Sequence, residues 1–278
     1  MEHMLRGRTA TRLNVHMPKR STKLRTRGLA LLIMAIGALL FSGVLAAAPS
    51  GGSQGGVTDS NLVAHWPFDA GSTRDVSGNN NDGVGSGITP TSDRFGRHND
   101  AYQFDGVGDR ISIANSPTLQ IGTSDYTIAA WIRTTAAGSD GRVFSKGSWN
   151  CTTGYMMRLG GGDKIHLENA SNGWCMVNVD SNTPLTDGAW HFVAGVVDRD
   201  VGAAIYIDGA LDATQEIDTS FANLSNDRNP TIGVADEQVQ VSPEFFNGTI
   251  DDVRIYNIAL SPGEVRALYS TERKTSVQ

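Results

Sequence analysis

The sequence predicts an all-β protein, an antiparallel β-sandwich with a short C-terminal helix. Short segments in which apolar and polar residues alternate recur along the chain, as in residues 190–197. The chain contains 32 glycines, and Gly-, Asn- and Asp-containing turn segments separate the alternating runs. Because these turns are fairly evenly spaced, a sandwich is favoured over alternating strands and helices.

Twelve segments have the length and pattern of strands. They are residues 62–68, 101–104, 110–113, 127–133, 143–145, 155–159, 164–168, 175–179, 190–197, 203–207, 231–234 and 249–256. Residues 71–87 form a long Gly/Asn/Asp-rich loop between the first two. The sequence shows no internal repeat and no second domain.

Two short motifs mark specific structures. Asp208-Gly209 lies between alternating segments and predicts a hairpin turn. Ser261, Pro262 and Glu264 form a capping box with proline at the first helical position. Val265, Leu268 and Tyr269 then supply an apolar face, so we expect this helix to cover one end of the sandwich.

The N-terminus has the pattern of an export signal. Residues 1–28 are strongly basic and residues 29–48 are uncharged and apolar, ending in small residues. The segment is either a cleaved signal peptide or an uncleaved membrane anchor, and both place the rest of the chain outside the cytoplasm. We therefore predict a leader at 1–48, a Gly/Ser linker at 49–57, one domain at 58–270 and a flexible tail at 271–278.

The charge balance restricts the partners. Beyond the leader the chain carries 15 basic and 28 acidic residues. This negative surface repels nucleic acid and anionic lipid, so contact with a membrane is expected only through an uncleaved leader. It is compatible with neutral glycans, cationic partners or divalent cations.

Both cysteines, Cys151 and Cys175, lie in the exported part. An even number in an oxidising compartment favours a disulfide, although two buried thiols are the alternative. A zinc site is not expected, since no pair of histidines lies near them.

The order of several motifs resembles the laminin G-like, concanavalin A-like jelly-roll family of bacterial secreted proteins. The motifs are LVAHWPFD at 62–69, DVSGNN at 75–80, FDGVGD at 104–109, DYTIAAWI at 125–132, DGAWHFVAG at 187–195, IYIDG at 205–209, GTIDDVRIY at 248–256 and ALSPGE at 259–264. Each is weak alone, but their number and order over residues 61–270 imply the jelly-roll fold. The fold hosts lectins, adhesion modules, hydrolases and lyases, so it leaves the function open.

The resemblance also implies a structural calcium ion. Calcium prefers several oxygen ligands, and related folds take them from the last strand and the N-terminal segment. On this pattern the ligands are Asp251, Asp69 and Asp75, with Asn81 as a carbonyl or amide donor. The alternative is that Asp75 and the asparagines of this loop only form turns.

Residues 146–174 contain the candidate ligand site. The candidate ligand-binding residues are Trp149, Tyr155, Arg158, His166 and Trp174. Sugars stack on aromatic rings and hydrogen-bond to amides and charged groups, and a Cys151–Cys175 disulfide would bring the two tryptophans together. The alternative is that both tryptophans pack over the disulfide. Trp66, Trp131 and Trp190 are assigned to packing.

No catalytic motif is present. The Glu-x-Asp-x-x-Glu strand of laminarinase-like relatives, a Gly-x-Ser-x-Gly elbow and a zinc motif are all missing from the sequence. We therefore expect a calcium-stabilised, non-catalytic module that binds a glycan or glycoprotein outside the cell. A surface adhesion or structural protein is the second hypothesis, and a lyase or hydrolase acting through His166 and Tyr155 is the third.

Overall fold

A computed structural model of the chain describes residues 59–147, 152–216, 223–235 and 244–274. The strands are β1 Leu62–Trp66, β2 Gly83–Ser86, β3 Thr89–Thr91, β4 Ala101–Asp105, β5 Arg110–Ile113, β6 Tyr126–Arg133, β7 Gly141–Gly147, β8 Gly154–Gly160, β9 Lys164–Ser171, β10 Trp174–Pro184, β11 Trp190–Asp198, β12 Gly202–Ile207, β13 Ala210–Gln215, β14 Thr231–Ile232 and β15 Asn247–Tyr256, and helix α1 is Pro262–Lys274. The predicted leader and linker lie outside the described residues. None of the helices within the described ranges is long and apolar enough to span a membrane.

The strands form two antiparallel sheets, which confirms the predicted sandwich. One sheet has the order β13-β12-β11-β6-β15-β4-β3, with β1 also paired to β15. The other has the order β10-β9-β8-β7-β14-β5-β2. We call them the eight-stranded and the seven-stranded sheet. Short strands β2 and β3 were not predicted, since they lie in Gly-rich or Pro-containing segments that carry little alternation. Strand β13 was implied only by the predicted hairpin turn at Asp208-Gly209.

The main core lies between the two sheets, because rings from opposite sheets are in contact there. Trp66 of β1 stacks with Phe144 of β7 at a centroid distance of 6.2 Å. Tyr126 of β6 lies 5.2 Å from Tyr155 of β8. All four side chains are buried, and apolar burial of this kind is the largest favourable term in folding.

A second apolar cluster lies under α1, on the outer face of the eight-stranded sheet. Trp131 and Phe192 project from this sheet, and Val265 and Leu268 of the helix pack against them. The Tyr269 ring stacks on Trp131 with centroids 5.7 Å apart. The helix therefore covers a sheet face, and the predicted position at one end of the sandwich is wrong. The alternation of β11 identifies which residues share a face but not which layer covers that face.

Both short motifs form as predicted. Asp208 and Gly209 have φ angles of 52° and 76° in the turn between β12 and β13, as a hairpin of this type requires. The Ser261 backbone N–H donates to Glu264 Oε2 at 2.7 Å, and the Glu264 N–H donates to Ser261 Oγ at 3.3 Å, which is a capping box. The helix continues to Lys274, past the domain end predicted at residue 270.

Strand β15 is the centre of the eight-stranded sheet. One of its edges pairs with β6. Its other edge pairs first with β4, through residues 247–250, and then with β1, through residues 253–256. Between these two partners the register against β6 shifts at Asp251 and Asp252, and Asp252 has a φ of 54°. This is a β-bulge, which reorients side chains and interrupts pairing.

We expect Leu268→Ala to lower the free energy of unfolding by about 2–5 kcal/mol, because the residue is 8% exposed within the cluster under α1. Urea denaturation measures this loss. Leu211→Ala is the matched control, since Leu211 is 58% exposed and surface changes stay within about 0.5 kcal/mol. Equal losses in the two variants would show that α1 contributes no buried interface.

Candidate functional site

Charged side chains share the outer face of strands β8, β9 and β10. Arg158 and His166 are register partners, as are His166 and Asp180, and directly opposed residues lie on the same face. His166 Nδ1 is 2.6 Å from Asp180 Oδ1, and its Nε2 is 3.4 Å from Glu168 Oε2. Arg158 forms an ion pair with Asp140 at 2.6 Å. The structure thus brings two of the candidate ligand residues, Arg158 and His166, onto one polar surface.

A further ion pair, which is buried, lies on the same face of the sheet and was not predicted from the sequence. Arg142, the register partner of Arg158, is 1% exposed and pairs with Glu244. Burial lowers the pKa of Arg142 and raises the pKa of Glu244, although each partner's charge opposes that shift. Because the two residues are far apart in the sequence, no local pattern links them. Arg142, Arg158 and His166 therefore each face an acid.

Trp174 does not share this face. Its register partner, Ser171, is five residues from His166 on β9, so Trp174 lies on the opposite side of the sheet from His166. It begins β10, the edge strand of the seven-stranded sheet, and it is 76% exposed. The preceding turn contains Asn172 and Gly173 with φ angles of 52° and 85°, and the register shifts between Cys175 and Val177. The turn and the irregular pairing hold a large aromatic ring in solvent, where burial would ordinarily place it.

The structure corrects the interpretation of Tyr155. Its side chain is 1% exposed, contacts Phe144 and donates a hydrogen bond to the Leu119 carbonyl oxygen at 3.0 Å. Burial raises its pKa well above the usual value. Tyr155 and Arg158 are an odd number of residues apart on one strand, so they lie on opposite faces. Tyr155 is a core residue, and it does not share a surface with His166.

Two of the predicted residues, Trp149 and Cys151, lie outside the described residues. The pairing of Cys151 with Cys175 therefore stays a prediction. Cys175 Sγ lies 3.7 Å from Glu168 Oε1, on the polar surface of β8, β9 and β10.

Asp75, a predicted calcium ligand, organises the long N-terminal loop through four hydrogen bonds. Its Oδ1 accepts from the backbone N–H groups of His65 at 3.0 Å and Ser77 at 2.9 Å. Its Oδ2 accepts from the Ser77 hydroxyl and from the Asn81 N–H, both at 2.9 Å. Both carboxylate oxygens are thus occupied by donors of the protein.

Asn81 is occupied in the same way. Its side-chain amide donates to the Val63 carbonyl at 3.0 Å, and its Oδ1 accepts from the hydroxyls of Ser116 and Thr118. Its backbone carbonyl accepts from the indole N–H of Trp66 at 2.8 Å. The loop is therefore tied to β1 and to the main core by side-chain hydrogen bonds.

Asp251, the third predicted ligand, lies in the bulge of β15 beside Asp252. Arg94 forms ion pairs with both carboxylates, and its guanidinium carbon lies 4.7 Å from the centroid of Trp131. His65 Nε2 is 2.6 Å from Asp252 Oδ1. The bulge thus directs two adjacent carboxylates toward cations of the protein.

The two carboxyl groups differ in their pKa shifts. Burial and the neighbouring Asp252 charge raise the pKa of Asp251 to about 8, against the opposing effect of Arg94. Burial alone would also raise the pKa of Asp252, but Arg254, His65 and Arg94 together hold it well below its usual value. Perturbed carboxyls of this kind occur at functional sites and also in structural ion-pair networks.

The predicted calcium ligands come together only in pairs. Asp69 lines one cavity of about 240 Å³ with Asp251 and another of about 400 Å³ with Asp75, whereas Asn81 is held in the loop by hydrogen bonds. The Asp69 side chain is 63% exposed, whereas that of Asp251 is 2% exposed. Within the described ranges no group of three or more His, Cys, Asp or Glu side chains is placed to hold a metal ion. Since Arg94 already pairs with Asp251, these four residues do not fit one calcium ion.

The two packed antiparallel sheets define a sandwich of the jelly-roll class. The family model of the concanavalin A-like lectin/glucanases superfamily, Laminin_G_3, matches residues 105–266. The match covers more than half of the chain, and the chain belongs to this family. A search of curated protein sequences found no match.

Solved structures show the same fold. The binding domain of Paraclostridial Mosquitocidal Protein 1 is similar with a TM-score of 0.64 at 17% identity, covering 78% of this chain and 53% of that chain. A structure of botulinum neurotoxin type C, a toxin whose cell entry depends on interaction with two ganglioside molecules, has a TM-score of 0.60 at 13% identity. The match covers 77% of this chain and 52% of that chain. Domain 4 of AbnA, a GH43 extracellular arabinanase from Geobacillus stearothermophilus in complex with arabinotriose, has a TM-score of 0.57 at 22% identity, covering 75% and 98%. The chain spans about half the length of the two toxin chains.

We expect Asp75→Asn to lower the free energy of unfolding by about 1.5–3 kcal/mol, because a buried carboxylate loses charge-assisted hydrogen bonds. The loss should be equal in calcium and in EDTA, as measured by urea denaturation. Asp200→Asn, at an exposed turn position, is the control for the removed charge. A loss that disappears in EDTA would identify Asp75 as a calcium ligand.

Proposed function

We propose that the chain is a non-catalytic glycan-binding module that works outside the cell. Trp174 carries this proposal, since its indole, 76% exposed at the edge of the seven-stranded sheet, offers the stacking plane that sugars use. Asn172, exposed in the preceding turn, offers an amide for hydrogen bonding close to Trp174 in the chain, whereas His166 and Glu168 pair with each other on the opposite face. The ligand class is a glycan or the glycan of a glycoprotein.

Two further observations support a binding role. An arabinanase domain and toxin binding domains share the fold. The alternative enzyme needs His166 and Tyr155 in one site, and these side chains lie on different faces. The basic and apolar leader of the sequence supports export, and the domain is therefore placed outside the cytoplasm in this proposal.

We expect Trp174→Ala to weaken glycan binding by about 30-fold or more, since an aromatic residue at the centre of a binding site contributes about 2 kcal/mol or more. Affinity electrophoresis of the full chain through neutral polysaccharides, arabinan included, measures the retardation. Leu211→Ala, which removes an exposed apolar side chain from the other sheet, should leave it unchanged.

Retardation that persists in Trp174→Ala would show that the indole is not the binding surface. A wild-type chain that no polysaccharide retards would contradict the glycan proposal itself. Circular dichroism of both variants checks that the sandwich is intact.

Calcium stabilisation remains a proposal from the family resemblance. An ion that binds only the native state at a concentration of 100 times its Kd would stabilise by about 2.7 kcal/mol. We then expect the melting temperature to fall when EGTA replaces calcium. An unchanged melting temperature would contradict the proposal and would agree with the pairing of Asp251 by Arg94.

A further inference from the structure

A second cavity, of about 230 Å³, opens on the outer face of the eight-stranded sheet. Its floor is a row of side chains on three adjacent strands: Gln103 on β4, Thr249 on β15 and Arg133 on β6, which are register partners. The Thr249 hydroxyl donates to Gln103 Oε1 at 2.9 Å, and Arg133 donates to Thr249 Oγ1 at 3.4 Å. Its wall includes Thr135 and Asn247. Apart from Gly188 and Gly248, the residues that line it are polar, and they lie on strands or in the loops next to strand ends.

The row continues to a fourth strand. Trp190 on β11 is the register partner of Arg133, and the Arg133 guanidinium carbon lies 5.1 Å from the centroid of the indole. A guanidinium stacked on an aromatic ring keeps its N–H groups directed outward in its own plane. The stack therefore holds Arg133 in one orientation at the edge of the cavity.

The charge of Arg133 is not compensated by a carboxylate within the described residues, where its polar partner is the Thr249 hydroxyl. Acids on neighbouring elements are engaged elsewhere. Asp187 lies 3.2 Å from His191 and accepts the Ala189 N–H, and Asp105 accepts the Val107 N–H at 2.7 Å. Five other arginines of the described chain pair with carboxylates: Arg94, Arg97, Arg142, Arg158 and Arg254. Within the described residues, Arg133 thus differs from these five arginines because no carboxylate pairs with it.

A glycine keeps the cavity open. Gly188, in the turn before β11, has a φ of 82°, and a Cβ there would lie 3.1 Å from the Thr135 methyl group. Its N–H donates to the Thr134 carbonyl at 3.0 Å. The backbone therefore approaches the cavity wall closely without a side chain that would fill the cavity.

We propose that this cavity binds the carboxylate of an acidic sugar, with Arg133 as the anion-binding group. A planar guanidinium matches a carboxylate in two parallel hydrogen bonds, and the amides and hydroxyls around it match sugar hydroxyls. The volume is below the about 300–1,000 Å³ of sites for drug-sized ligands, so it suits one sugar residue. The inference rests on the proposed glycan-binding function and names a ligand class for a surface separate from Trp174.

The test compares two polymers with one backbone, polygalacturonate and its methyl ester, in affinity electrophoresis of the full chain. EDTA is present so that no divalent cation bridges polymer and protein. We expect polygalacturonate to retard the wild type and the ester to retard it far less. Arg133→Gln should weaken polygalacturonate binding by about tenfold or more, since the lost contact is charge-assisted. Arg133→Lys should recover part of it, because an ammonium cannot form the paired contact.

Arg74→Gln is the matched control, because it removes the same charge from an exposed side chain. Equal loss in Arg74→Gln and Arg133→Gln would indicate general attraction to a polyanion and would overturn the proposal. Poly-glutamate that binds the wild type as strongly as polygalacturonate, with the same loss in Arg133→Gln, would assign the cavity to acidic peptides instead.

A second measurement does not depend on polymer binding or on the Arg133 variants. Galacturonic acid should shift the indole N–H resonance of Trp190 in the NMR spectrum, and galactose should not. An indole that does not respond to galacturonic acid would overturn the proposal. If neutral polysaccharides still bind through Trp174 in that case, the proposed function stands and only this site fails. If galacturonic acid shifts Trp190 while Trp174→Ala has no effect, this site stands without the other.

Discussion

The bulge in β15 is the constraint on which both charged regions of the eight-stranded sheet depend. One edge of β15 pairs with β4 before the bulge and with β1 after it, while β6 continues along the other edge. A regular strand would turn Asp251 and Asp252 to opposite faces. The left-handed backbone of Asp252 instead places both carboxylates within reach of Arg94. Burying two adjacent acids is costly unless cations accompany them, so the bulge and the cluster of cations require each other.

The same strand supplies the polar cavity. Before the bulge, Asn247 and Thr249 face the outer side of the sheet next to Arg133. Beyond the bulge the outer surface is occupied by α1, which packs on Trp131. The bulge of β15 therefore marks the boundary between a part of the outer face that α1 covers and a part that stays polar.

Local patterns in the sequence predicted the fold well and the site only in part. Alternation found most strands, and the Asp208-Gly209 turn and the Ser261 cap formed as expected because each depends on residues that are neighbours in the chain. The position of Tyr155 could have been predicted from the alternation alone. Tyr155 and Arg158 are an odd number of residues apart on one strand and therefore lie on opposite faces. The pairing of Arg94 with Asp251 could not be predicted from the sequence, because contacts between distant segments depend on the order of strands in the sheet. The hydrogen bonds that occupy the Asp75 carboxylate also could not be predicted, since the same residue types suit a turn and a calcium site.

The two candidate surfaces differ in how firmly the fold holds them. Trp174 follows a turn on an edge strand whose pairing is irregular, so its position is less firmly fixed. Arg133 lies near the end of a central strand, paired on both sides, and its guanidinium is fixed by Trp190 and Thr249. Sites built on regular strands hold their groups more exactly than sites on loops. If both proposed sites bind sugars, selectivity is expected from the Arg133 cavity and tolerance from the Trp174 surface. A module with both sites would bind different polymers through Trp174 and would select those that carry an acidic sugar through Arg133.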